Sequence, residues 1–118
     1  MKENMEKIKI DDFVEEVKKV DEEFAESCEE ENVKWSVKCY LLDSAFSLHK
    51  YYDWSKSKTF PYKLLKIKEE KGDGYQESTT FGIFERKSDK KKFKLWVHDA
   101  GTYGSETLTL CDYLEEVK

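Results

Sequence analysis

Proline, arginine and histidine are nearly absent from this chain. Its 118 residues include one proline, Pro61, one arginine, Arg86, and two histidines, His49 and His98. With a single proline and no Gly/Ser-rich or low-complexity run, nothing in the sequence marks a linker. Residues 1–118 therefore read as one domain, with 1–9 as a flexible tail or a short strand. A protein that reads duplex DNA through bidentate contacts wants more arginine than this, so direct duplex binding is not expected. The histidines stand far apart, with no HxH, HxxxH or CxxC spacing, and neither a metal nor another cofactor is expected. The three cysteines, Cys28, Cys39 and Cys111, are odd in number and fall near apolar positions. They read as reduced buried thiols, not as a disulfide framework. No stretch approaches the roughly 20 apolar residues of a membrane span. The opening MKENMEKIKIDD lacks the apolar core of a signal peptide, so a cytoplasmic protein without membrane contact is expected.

What the chain has in abundance is charge, unevenly divided. Charged residues make up 40% of the sequence and the formal net charge is −5. Residues 1–32 carry 5 lysines against 13 acids, while residues 33–98 carry 15 basic residues against 8 acids. The last twenty residues are acidic again. Acidic helices lying across a basic sheet would neutralise most of this asymmetry.

Hydropathy patterning gives the elements. Phe13, Val14, Val17, Val20, Phe24 and Cys28 recur at spacings of three and four, which predicts an amphipathic helix over about 11–29. Val33, Trp35, Val37, Cys39 and Leu41 alternate with polar residues, which predicts a strand. The stretch 44–54 reads as a further strand, with a capped short helix as its rival. Strands follow at 62–69, 75–87 and Lys92–His98, separated by the turns KGDG and SDKK. Thr109 and Asp112 have capping-box spacing, and Leu110, Leu114 and Val117 form a stripe, so a short C-terminal helix is expected. The fold class is α+β: an N-terminal amphipathic helix packed on a four- to five-stranded, mainly antiparallel sheet, closed by a short helix.

Three stretches invite chemistry. In KLWVHDAGTYGSET, residues 94–107, His98 and Asp99 stand side by side. Neighbours on a strand point to opposite faces, so they make no dyad, and no catalytic residue is assigned. The glycines of GTYGSET lack the lysine and the spacing of a phosphate loop. Second, Lys94, Trp96 and His98 share one strand face. Lys34, Lys38 and Tyr40 share another, and together they would form a basic aromatic surface for a nucleotide or other small anion. The plainer account of Trp96 is cover by the aromatic residues of 44–60. Third, Asp21, Glu22, Glu23, Glu26, Glu29, Glu30 and Glu31 form a dense acidic cluster on the first helix. The leading expectation is a non-enzymatic protein that docks this cluster on a basic partner, such as a nucleic-acid-binding enzyme or toxin, and inhibits it. Immunity proteins, antitoxins and phage anti-defence proteins share this size and charge. Anion binding on the basic face is the second expectation, and an enzyme the third.

Overall fold

Ile10, Phe13, Val14, Val17 and Val20 form one stripe, and the chain coils into helix α1 (Ile10–Val20) to bury it. The computed structural model describes residues 5–45, 54–71, 77–100 and 108–117. Before α1 comes a short strand, β1 (Lys7–Lys9); residues 1–4 of the stretch read as a tail or a strand lie outside the described set. Asp11 and Asp12 sit in the first turn of α1 and Lys18 and Lys19 in the last, which suits the helix dipole.

The single helix expected over 11–29 is broken. Asp21 adopts an extended conformation, and its carboxylate accepts the Phe24 N–H at 3.0 Å. That bond caps a second short helix, α2 (Glu22–Glu26). α2 stops at Ser27, whose hydroxyl donates to the Phe24 carbonyl at 3.0 Å. The acids from Glu29 onward then open a new helix, α3 (Glu30–Ala45), where negative charge is favourable, instead of ending an old one.

The strand expected at 33–41 is part of α3. Two periods coexist in these residues. Alternation gathers Val33, Trp35, Val37, Cys39 and Leu41, but the helical period gathers Val33, Val37, Tyr40 and Leu41. The protein buries the second set: Val37, Tyr40 and Leu41 lie in the core, while Trp35 is 48% exposed. Ser44 and Ala45 close α3 and so do not begin a strand; residues 46–53 lie outside the described set. The chain re-enters with a 3₁₀ turn at Trp54–Lys56.

Strands β2 (Tyr62–Lys71), β3 (Glu77–Arg86) and β4 (Lys92–Ala100) form an antiparallel meander close to the expected one. The KGDG turn falls outside the described residues. The C-terminal helix does not form; its place is taken by β5 (Leu108–Leu110) and β6 (Tyr113–Val117). Both pair with β4, and β6 also takes β1, giving the order β1-β6-β4-β3-β2 with β5 beside β4. A helix here would have left that flank of β4 without hydrogen-bond partners. The two registers differ: Val97 faces Leu110, yet Lys94 faces Glu115. Between them Leu95 and Trp96 are spanned by the longer run Cys111–Leu114, a bulge with two extra residues on that side. The Cys111 N–H donates to the Trp96 carbonyl at 3.1 Å. Among the described residues the protein is thus an α+β fold of three helices and a six-stranded antiparallel sheet, and no described helix is long and apolar enough to cross a membrane.

The helices cover one sheet face. Phe84, Phe93, Leu95, Val97 and Leu114 point into the core beneath Phe13, Val17, Phe24 and Leu41. Gly82, mid-strand in β3, lies directly beneath Leu41 of α3. A Cβ there would lie 2.9 Å from Leu41 Cδ2 and 3.2 Å from Leu64 Cδ1. At the other end, Arg86 clamps the β3–β4 turn. Its guanidinium donates to both Glu6 oxygens, at 2.6 and 2.8 Å, and to both Asp89 oxygens, at 3.1 and 2.7 Å. The turn needs this support because Lys90 holds a left-handed φ of 65° without being glycine.

Two tests follow from this packing. Gly82→Ala should cost about 1–3 kcal/mol through overpacking against Leu41, read as a lower urea midpoint with an unchanged slope. An unaltered midpoint would mean that Leu41 simply rotates aside. For the clamp, hydrogen bonding to Arg86 holds the Glu6 carboxyl below its usual 4.5 and brings Asp89 from 3.8 to about 2. Both folded pKa values are depressed, so the clamp contributes fully above the ordinary carboxylate range and fades as pH falls through it toward about 2. The stability gap between wild type and Arg86→Gln should therefore be largest near neutral pH and shrink across that window. A gap independent of pH would show that packing, not pairing, is what Arg86 supplies.

Candidate functional site

His98 and Asp99 part company across the sheet. His98 lies on the open face, opposite Thr79 in the β3–β4 register. Its Nδ1 is 2.8 Å from Thr79 Oγ1, and its Nε2 is 3.3 Å from Glu77 Oε1. Asp99 points the other way, toward the helices, and pairs with Lys38 of α3; their side chains are only 13% and 16% exposed. The pair ties α3 to β4. The catalytic-corner reading of the HD dipeptide fails on geometry, as strand alternation requires. Thr79, His98 and Glu77 do fall in the hydroxyl–imidazole–carboxylate order of a nucleophilic set. They lie on a sheet face, and neither of the two clefts described below contains them.

The basic aromatic face forms with a different membership. Lys94, Trp96 and His98 do project together, on the face away from the helices, each half-buried. Lys34, Lys38 and Tyr40 do not join them, because their segment is helical and packs on the covered face. Tyr40 is 4% exposed, its ring is stacked on Trp54 at 3.9 Å, and its hydroxyl bonds Ser55. Their places are taken by residues from β2 and β3. In the register, Lys68 lies beside Phe81 and Phe81 beside Trp96; one row along, Lys66 lies beside Ile83 and Ile83 beside Lys94. The Lys94 ammonium sits 4.3 Å from the centre of the Phe81 ring. The expected cover for Trp96 is not supplied by Trp54 or Phe60, which are buried in the core around Phe13. Phe46 and Tyr52 lie outside the described residues. Trp96 itself leans on the core cluster beside the Cys111 bulge.

The acidic cluster is divided by structure. Asp21 is committed to capping α2. Glu22, Glu23, Glu26 and Glu29 are exposed, and α2 has no basic residue in its last turn. Glu30 and Glu31 open α3, and their side chains lie outside the described set. Acids elsewhere are paired within the chain: Glu15 with Lys18 and Glu16 with Lys19, each at 3.1 Å, besides Glu6, Asp89 and Asp99. Among the described residues, Glu22, Glu23, Glu26 and Glu29 have no such cation.

Two clefts flank α1. The larger, about 770 Å³, lies between α1, the start of α3 and the β5–β6 bulge, with Ile10, Val14, Val33 and Leu110 among its apolar walls and Lys9, Lys18 and Lys34 at its rim. Cys28 and Cys111 both line it. Burial raises the Cys28 thiol and pushes Cys111 up to about 11, so both are protonated thiols at neutral pH, not nucleophiles. The smaller cleft, about 520 Å³, is walled by Glu6, Tyr62 and Arg86 of the clamp. Among the described residues, no three His, Cys, Asp or Glu side chains converge as a cation site.

Comparison with protein-family models, with curated proteins and with solved structures found no match, so function is argued from the chain's own chemistry.

The separation of His98 from Asp99 is open to a double-mutant cycle. His98→Ala and Asp99→Asn should destabilise additively, within about 0.5 kcal/mol. A coupling well above about 1 kcal/mol would mean that the two side chains share an interaction after all.

Proposed function

We propose that the protein is a non-enzymatic binding protein that engages, and inhibits, a basic protein partner through the acidic corner at α2. One observation supports this reading above the others. Glu22, Glu23, Glu26 and Glu29 are exposed and lack a described cation, in a chain that pairs many of its other acids internally. Four like charges on so short a stretch repel one another, and a basic surface relieves that repulsion on docking. Complementary charge of this kind speeds encounter and makes it salt-sensitive. Asp21 and the backbone bonds of Ser27 keep the corner folded, so the carboxylates are presented on a formed helix. That lowers the ordering cost of binding for Glu22, Glu23 and Glu26, while Glu29 sits in the bend before α3.

The test uses the protein that the wild-type chain captures from its host, with affinity measured at low and high salt. Reversal of Glu22, Glu23 and Glu26 to lysine should weaken binding at least about tenfold at low salt and flatten its salt dependence. Equal affinity and an equal salt response in the variant would overturn the proposal. Asp21 is left intact in this design, because its loss would cost about 1 kcal/mol of helix capping and confuse the result.

A further inference from the structure

The sheet face turned away from the helices has a chemistry of its own, independent of the acidic corner. Its centre holds two adjacent rings, Phe81 and Trp96, paired directly across β3 and β4, with Ile83 one row along. Lysines stand on both sides of this apolar centre: Lys66 and Lys68 on β2, the latter 3.8 Å from Glu70, and Lys94 on β4, across from Glu115 of β6. The rows repeat every two residues along the strands, roughly 7 Å, so rings and ammonium groups recur over a few nucleotides' reach. The Lys94 ammonium covers the Phe81 ring at 4.3 Å, and both residues are half-buried.

We infer that this face is a docking surface for single-stranded nucleic acid. Bases stack on Phe81 and Trp96, and the lysines meet the backbone phosphates. Charge complementarity selects this occupant: a polyanion is repelled by the exposed carboxylates of α2 and drawn to the opposite layer, where Lys63, Lys66, Lys68, Lys92 and Lys94 outnumber Glu70, Glu85 and Glu115 in the register. The rings select the single strand over the duplex, because a duplex keeps its bases stacked inside and offers only phosphates to a sheet. On binding, Lys94 exchanges its contact with Phe81 for a phosphate, and a base takes the vacated ring. The lysine-for-arginine bias fits this mode, since phosphate neutralisation needs charge while bidentate base reading needs arginine.

Fluorescence anisotropy of the full chain with labelled mixed-sequence DNA and RNA of about 12 nucleotides tests the assignment. Binding should weaken linearly in log–log salt plots, with a slope near −2 for three lysine–phosphate contacts. Lys66→Gln with Lys68→Gln, both exposed and harmless to the core, should reduce the slope's magnitude by about 1.4. Phe81→Ala should weaken binding about tenfold at unchanged slope, and Phe81→Tyr should restore it. Thermal melting confirms that each variant is folded. Reversal of Glu22, Glu23 and Glu26 should leave binding intact or tighten it, so failure of the acidic-corner reading and failure of this one are distinguishable. Four outcomes overturn the inference: no binding at low salt, equal affinity for a duplex of the same sequence, equal affinity for polyglutamate, or insensitivity to the β2 lysines. A mononucleotide that binds as tightly as the oligonucleotide would likewise overturn it in favour of a small-anion site.

Discussion

Phe13 is where the layers of this protein meet. Its ring lies 5.2 Å from those of Tyr62 and Phe84 on the sheet and 5.7 Å from those of Trp54 and Phe60 on the connecting segment. Most of these contacts are edge-to-face, the geometry that aromatic quadrupoles favour. Full burial of one such ring is worth about 1.5–3 kcal/mol, and each aromatic pair adds about 0.5–1.5. Because Phe13 belongs to α1, this one side chain sets the height of the first helix over the sheet. α3 then settles beside it, down to the bare backbone of Gly82.

That stacking decides where the charges go. With all helices on one face, the polar sides of α1 and α2 turn away from the sheet, and the polar sides of β2, β3 and β4 turn away from the helices. Glu15 and Glu16 of α1 find lysines on their own helix, at i+3, and not on the sheet. The Glu6–Arg86 clamp apart, the acids of α2 and the lysines of β2–β4 are displayed on opposite sides of the core. The Lys38–Asp99 pair joins the layers. It is held where solvent screening is weakest, so its geometry matters more than that of the surface pairs.

The meander was legible because its signals agree: alternation, turn residues and length all point to strands from Tyr62 to Ala100. The face of Lys94, Trp96 and His98 followed from parity alone. Two elements misled for different reasons. Residues 33–41 satisfy both a two-residue and a helical period, and only the packing of Val37 and Leu41 against the sheet selects one. Leu110, Leu114 and Val117 mimic a helical stripe, but the open flank of β4 claims their backbone for pairing. The error at α3 carried into the candidate site, since Lys34, Lys38 and Tyr40 were assigned to a surface that their segment never reaches. Lys66, Lys68 and Phe81 were missed because cross-strand register is a long-range property that no local pattern states. The unpaired state of Glu22 and Glu23 is also invisible in sequence, where Lys18 stands four positions before Glu22 and Lys19 four before Glu23.

The bulge at Cys111 has a consequence for how this chain can vary. Its registers on either side differ by two, an even number, so Leu110 and Leu114 both reach the core although the pairing has slipped between them. An odd slip would turn the whole of β6 over, sending Leu114 outward and Tyr113 and Glu115 inward. Because β1 is hung on β6, its Ile8 would lose its partner in the same stroke. Length changes at this corner are thus quantised: the edge of the sheet can gain or lose residues in pairs, and single steps invert it.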